Sequence, residues 1–273
     1  MMESFFIAIC IATGLILGSF FNVLIWRLPR SESIIAPGSH CPACGRHIRP
    51  WENIPVLSFI MLGGKCAGCR AAISWRYPAV ELLTAALCLL LWQTYVSPYA
   101  AIPHRAADHI TFVLRIASLL VLIPVAFIDL EHFIIPDSIT LPGLAVGILA
   151  SFFPGPLTPL QMLLGTAAGG GTLMALGALG EYVFKKDEAM GGGDIKLMAF
   201  LGALWGWKAA LLAIVFGSVL GACATLPLLA AGRLPADRRI PFGPFLAAGT
   251  WIAALYGDQC VRAYFTFTGR LLF

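Results

Sequence analysis

The chain is 273 residues long, 59% hydrophobic and only 12% charged, with a mean hydropathy of +0.86 and a formal net charge of +4. A soluble globular chain carries about 25% charged residues, so the composition excludes an ordinary soluble domain and points to the membrane. The small positive charge requires no nucleic acid, because basic loops facing anionic lipid account for it and no basic stripe interleaved with aromatics occurs.

A helix crossing a bilayer needs about 20 mostly apolar residues. Apolar runs predict spans near 5–26, 78–96, 110–128, 139–153, 161–184, 195–205, 209–230 and 241–257. The expected fold is therefore an all-α polytopic membrane protein with about eight transmembrane helices. The run 195–205 is short for a crossing, and seven spans result if it joins its neighbour. The first run is long for a signal peptide, lacks a small-residue cleavage site, and is followed by Arg27-Leu28-Pro29-Arg30. It reads as an anchor rather than a removable signal.

The longest polar stretch, 27–77, carries Cys41-Pro42-Ala43-Cys44 and Cys66-Ala67-Gly68-Cys69. Two CxxC knuckles at this separation predict a zinc-ribbon-like loop in which Cys41, Cys44, Cys66 and Cys69 hold one Zn²⁺. Four thiolates leave no position for water, so the expected role is structural. A disulfide pair and a thiol redox site are the rival readings. Disulfides are disfavoured in a cytoplasmic loop, and a redox site needs only one CxxC. His40 and His47 lie close enough in sequence to replace a ligand, although solvated loop histidines explain them. Cys10, Cys88, Cys223 and Cys260 read as small residues on membrane helices.

Lys and Arg in the loops set the orientation. The 27–77 loop contains Arg27, Arg30, Arg46, Arg49, Lys65, Arg70 and Arg76. Placing it in the cytoplasm also puts Lys185, Lys186, Arg233, Arg238 and Arg239 inside, leaving Arg105, Lys208, Arg262 and Arg270 opposite. The amino terminus is then periplasmic, and Asp129 and Asp194 both fall at the cytoplasmic membrane face.

Those two aspartates are the candidate catalytic residues. Asp129 closes the apolar run 116–128, and Asp194 opens another within Gly191-Gly192-Gly193-Asp194-Ile195-Lys196. Ionisable groups at bilayer depth are costly and functional by default, and two carboxyls sharing one proton divide acid and base roles between them. A helix N-cap is the alternative for Asp194. For Asp137, after Pro136, an N-cap is favoured over chemistry. The glycine triplet lacks the Gly-Lys-Ser/Thr ending of a phosphate loop. Gly165, Gly169, Gly170 and Gly171 predict a small-residue face for close helix packing.

Taken in order, these motifs resemble the bacterial type IV prepilin peptidases, a family of integral-membrane aspartic proteases. The resemblance rests on Gly18-Ser19-Phe20-Phe21-Asn22-Val23, Arg27-Leu28-Pro29, the Cys41–Cys44 knuckle followed by Trp51-Glu52-Asn53-Ile54-Pro55, Gly64-Lys65-Cys66 and Cys69. Arg76-Tyr77-Pro78 with Glu81, Asp129 with Pro136-Asp137, the Gly-x-Gly-Asp ending at Asp194, and Pro241-Phe242-Gly243-Pro244 continue it. It implies removal of a short basic leader from prepilin or pseudopilin precursors, after a glycine, at the cytoplasmic face of the bacterial inner membrane. It also implies methylation of the new amino terminus with S-adenosylmethionine, with Glu52, Gly64 and Lys65 as participants and Glu52 as a receiver of the substrate ammonium. Residues 1–109 would form the methyltransferase-associated part and 110–273 the peptidase domain. An ion-coupled transporter using the same carboxylates and a zinc-stabilised scaffold without catalysis are the rival functions.

Overall fold

The computed structural model describes residues 2–96, 106–153, 157–185, 190–232 and 240–268. Of the basic residues used for orientation, Arg105, Lys186, Arg233, Arg238, Arg239 and Arg270 lie outside the described residues. The protein is all-helical and divides into two compact units, Met1–Pro103 and His104–Phe273.

The first unit is built on α1 (Met2–Arg27) and α3 (Arg76–Leu91), with the short α2 (Leu57–Met61) inside the connecting loop. A π-helical turn, Trp92–Val96, continues α3. The two long helices meet along a seam of small residues. A Cβ added at Gly18 would lie 2.6 Å from the Cα of Glu81, so only glycine permits this approach. One turn later, Asn22 reaches across the seam and donates to the Tyr77 carbonyl at 3.0 Å. Gly18 and Asn22 of the Gly18–Val23 motif thus lie on the contact face of α1. Gly18→Val is expected to lower stability by about 1–3 kcal/mol through overpacking, read as an earlier unfolding midpoint in detergent.

The second unit comprises α4 (Ala106–His132), α5 (Asp137–Ala150), α6 (Pro159–Thr166), α7 (Thr172–Phe184), α8 (Gly192–Ala230) and α9 (Gly243–Phe267). A π turn at Ala167–Gly171 joins α6 to α7. Helix α8 is the hub, with α6, the π turn, α5 and α9 packed against it. Three polar staples tie α4 to its neighbours. Arg115 Nε donates to the Leu204 carbonyl, Trp205 Nε1 to Ser118 Oγ, and Trp251 Nε1 to the Leu119 carbonyl. Buried donors without water need such partners. Gly165, Gly169 and Gly170 lie where a Cβ would strike α8, whereas Gly171 faces open space, so three of the four predicted small-face positions make the packing.

All eight predicted apolar runs fall largely on helical segments, yet among the described residues five segments are long and apolar enough to cross a membrane: Glu3–Arg30, Arg76–Val96, His109–His132, Pro159–Val183 and Gly192–Ala230. Asp137–Ala150 is an apolar helix of only 14 residues. The 39-residue α8 would be about 58 Å long if straight, nearly twice a hydrocarbon core of ~30 Å. It is not straight. Gly206 takes φ 80° and ψ 171° inside it, dividing it into 192–205 and 207–230. The uncertain boundary between the predicted sixth and seventh runs is this break.

Candidate functional site

Asp129 and Asp194 both belong to the second unit and both are buried, at 6% and 9% exposure. Asp129 lies in the last turn of α4, and the chain leaves the helix through Phe133, which takes a left-handed φ of 56°. Asp194 lies in the first turn of α8. The 133–136 connection joins these ends, because a Cβ on Gly193 would lie 2.8 Å from the Cβ of Ile135. The two carboxyls are close enough for the charge on Asp129 to act on Asp194.

Each carboxyl has a distinct environment. Asp129 Oδ2 accepts the Gly243 amide at 2.8 Å. That amide belongs to the first turn of α9, where orphan N–H groups and the positive end of the helix dipole face an anion. Pro244 follows, suiting the helix start. The Pro241–Pro244 motif had no assigned role in the sequence reading, and its glycine is the missed residue of the site. A Cβ at Gly243 would lie 2.7 Å from Asp129 Oδ2. Asp194 Oδ1, by contrast, is buried with no hydrogen-bond partner among the described residues.

Neither the N-cap alternative for Asp194 nor the favoured N-cap reading of Asp137 matches the helix starts. Gly191 is the N-cap of α8 and Asp194 sits three residues later. Asp137 is the first residue of α5, after Pro136 at the N-cap. Its two carboxyl oxygens instead accept from Lys196 Nζ at 2.8 Å each. This exposed ion pair links the start of α5 to the first turn of α8. The three glycines before Asp194 have separate jobs. Gly191 makes room for the Asp194 carboxyl, Gly193 for Ile135, and Gly192 alone faces open space.

The cysteines assemble in the first unit. The ligand atoms of Cys41, Cys44, Cys66 and Cys69 all lie within 4.8 Å of one another, with Cys41 and Cys69 sulfurs 3.9 Å apart. Tetrahedral Zn–S bonds of about 2.3 Å require sulfurs about 3.8 Å apart, so the cluster fits a metal ion. The knuckles repeat one backbone pattern. Cys41 N–H bonds to the Arg46 carbonyl and Gly45 N–H to the Cys41 carbonyl. Cys66 N–H bonds to the Ala71 carbonyl and Arg70 N–H to the Cys66 carbonyl. Gly45 and Arg70 both take left-handed φ, 69° and 61°. Isolated bridges His40↔His47 and Lys65↔Ala72 close the two turns. Amides of Cys69 and Gly68 face the Cys66 sulfur and lower its pKa, favouring the thiolate a metal requires.

Among the residues expected at the methyl-transfer site, Glu52 binds Arg46 at 2.8 Å and the Arg49 amide at 3.1 Å. The Arg46 guanidinium and that amide hold its carboxyl below the usual range. Gly64 takes φ 66° under the Phe59 ring, which explains glycine there. Lys65 is exposed.

Two family profiles match the chain: the bacterial peptidase A24 N-terminal domain over residues 12–95, and the type IV leader peptidase family over residues 116–226. A prepilin leader peptidase/N-methyltransferase of Pseudomonas aeruginosa is 37% identical over 97% of this chain and 95% of its own length. Proteins of the same description from Stutzerimonas stutzeri and Dichelobacter nodosus are 36% and 35% identical, covering 96% and 90% of this chain and 94% and 90% of their own lengths. No solved structure matches the chain. With two profiles in sequence order and full-length relatives of one description, the chain belongs to the type IV leader peptidase family.

Proposed function

We propose that this protein is a multi-pass membrane aspartic endopeptidase that cleaves the leader from type IV prepilin or pseudopilin precursors after a glycine. The same protein methylates the new amino terminus with S-adenosylmethionine. Asp129 and Asp194 are the catalytic pair, and the juxtaposition of their two buried carboxyls is the observation that carries the reading. The ionised member takes a proton from water, which attacks the scissile carbonyl, while the protonated member donates to the carbonyl oxygen. The tetrahedral intermediate collapses as a proton passes to the leaving amine. Which aspartate begins as the acid is a property of the coupled pair. The open face at Gly192 admits the substrate backbone, and the distribution of Lys and Arg supports a cytoplasmic site in the inner membrane.

Cys41, Cys44, Cys66 and Cys69 hold Zn²⁺ in a structural role, and the first unit carries methyl transfer with Glu52, Gly64 and Lys65 in its loop. The test is mass spectrometry of a prepilin-like substrate incubated with detergent-purified enzyme and S-adenosylmethionine. Leader loss plus one methyl group on the new amino terminus supports both activities. An unaltered substrate from a folded enzyme, across several precursors, refutes them. The Gly243 contact adds a sharper expectation. Gly243→Ala pushes on the Asp129 carboxyl, and a displacement of about 1 Å costs on the order of 10²-fold in rate. Leader cleavage should fall by that order with the unfolding midpoint held.

A further inference from the structure

Beneath the two knuckles, within the first unit, lies a cavity of about 330 Å³. A smaller one of about 100 Å³ shares Trp26, His40, Tyr77 and Glu81 with its wall. The larger volume is at the lower end of the ~300–1,000 Å³ of small-molecule pockets. Two acceptors in the smaller cavity's wall stand out. Asn22 is 2% exposed, and its Nδ2 donates to both the Gly18 and Tyr77 carbonyls. This pairing sets the amide orientation and leaves Oδ1 buried with no partner among the described residues. Glu81 is 7% exposed, accepts the Val56 amide at 2.7 Å and has the Ser19 side chain as a second hydrogen-bonding neighbour. Val56 takes φ 60° and ψ −47°, a strained γ-turn for a β-branched residue. Such strain persists only where the surroundings hold it, commonly at ligand sites.

Of the cations in the two walls, Arg27 donates to the Ser33 and Pro37 carbonyls and Arg46 pairs with Glu52. A buried carboxylate and an undonated amide oxygen in one wall favour a ligand that brings N–H donors and positive charge. Glu52, already bound to Arg46 and the Arg49 amide, is spent on the loop itself.

On the reading that this unit methylates an amine, we infer that Glu81 and Asn22, rather than Glu52, receive the new amino terminus of the cleaved substrate. Both residues lie on the apolar spans 3–30 and 76–96, a position suited to an amine carried on a membrane-embedded peptide. Glu81 takes a proton from the ammonium, and Asn22 Oδ1 accepts a second N–H. The nitrogen lone pair then forms the N–C bond as the sulfonium–methyl bond of S-adenosylmethionine breaks, releasing S-adenosylhomocysteine. The larger cavity, walled by Arg46, Phe59 and Tyr77 among others, takes the methyl donor.

Glu81→Gln tests this, because a glutamine oxygen still accepts the Val56 amide. Methyl transfer to a pre-cleaved substrate should fall by about 10²–10⁴-fold, the usual size of general-base catalysis. Bound metal and leader cleavage should stay within about threefold of wild type, and the fall in methyl transfer should persist at saturating S-adenosylmethionine. Methylation near the wild-type rate in Glu81→Gln overturns the inference. So does loss of metal together with methylation, or a rate restored by saturating S-adenosylmethionine, which makes Glu81 a residue of the fold or of donor binding alone. If wild type neither binds S-adenosylmethionine nor methylates, the underlying methyltransferase reading is what fails.

Discussion

Asp129→Asn and Asp194→Asn each abolish leader removal, with losses of at least 10²–10⁴-fold expected from general acid or base chemistry alone. The larger figure is the better guide, because each aspartate is useless without the other. Residues acting as a unit are grossly non-additive, so the double variant should be no slower than either single one. Neither substitution removes volume. In Asp129→Asn the carboxamide oxygen can still accept the Gly243 amide, and Asp194 Oδ1 has no protein donor to lose. The unfolding midpoint in detergent should therefore hold while turnover vanishes. The readout is the mass of a prepilin-like substrate after incubation with wild type and the three variants. Cleavage that survives within a few-fold in both single variants places the active site elsewhere. Loss of cleavage with a collapsed unfolding transition makes the aspartates structural instead. A transporter acting through the same carboxylates predicts no cleavage by any of the four proteins.

Features set by short-range chemistry were readable in the residues. Two CxxC pairs announce a metal cluster because each turn brings two sulfurs together within four residues. A carboxylate at the end of an apolar run is conspicuous because hydrocarbon makes it expensive. What escaped depends on partners far along the chain. Gly243 meets Asp129 across 114 residues, and Lys196 meets Asp137 across 59. Nothing local in Pro241–Pro244 says that its amide is aimed at a carboxyl, since half of that contact is tertiary. Asp137 followed by Ser138 looks like a cap, and an exposed ion pair leaves no sequence trace that separates the two. The break at Gly206 is hidden for another reason. One glycine among 28 in a small-residue-rich membrane chain is indistinguishable from a packing glycine until its φ is known. Glu52 attracted attention by lying beside the cysteines, yet its nearest cation, Arg46, is only six residues away and claims it.

Stripping the cysteine cluster of its metal should unfold the loop, for the loop has almost no other core. Between residues 28 and 77 only Cys41 and Cys66 are buried. Large side chains there, including Trp51, Ile60, Met61 and Trp75, are 62–76% exposed. Hydrophobic burial therefore cannot hold this segment, and the metal stands where a core would be. Structural zinc contributes an apparent 10–16 kcal/mol in small folding units at neutral pH, far above what the paired backbone bonds of the knuckles supply at about 1 kcal/mol each. The expected results are one zinc per chain by elemental analysis and its loss in Cys41→Ser and Cys66→Ser. Protease cleavage should become confined to the 28–77 loop after treatment with a strong chelator. Acid should have the same effect as chelator, because the ligands must be thiolates and protons compete for them. Added zinc should restore protection under reducing conditions. A metal-free loop that resists the protease contradicts this account. A non-reduced mass lower by two hydrogens per cysteine pair replaces it with a disulfide core.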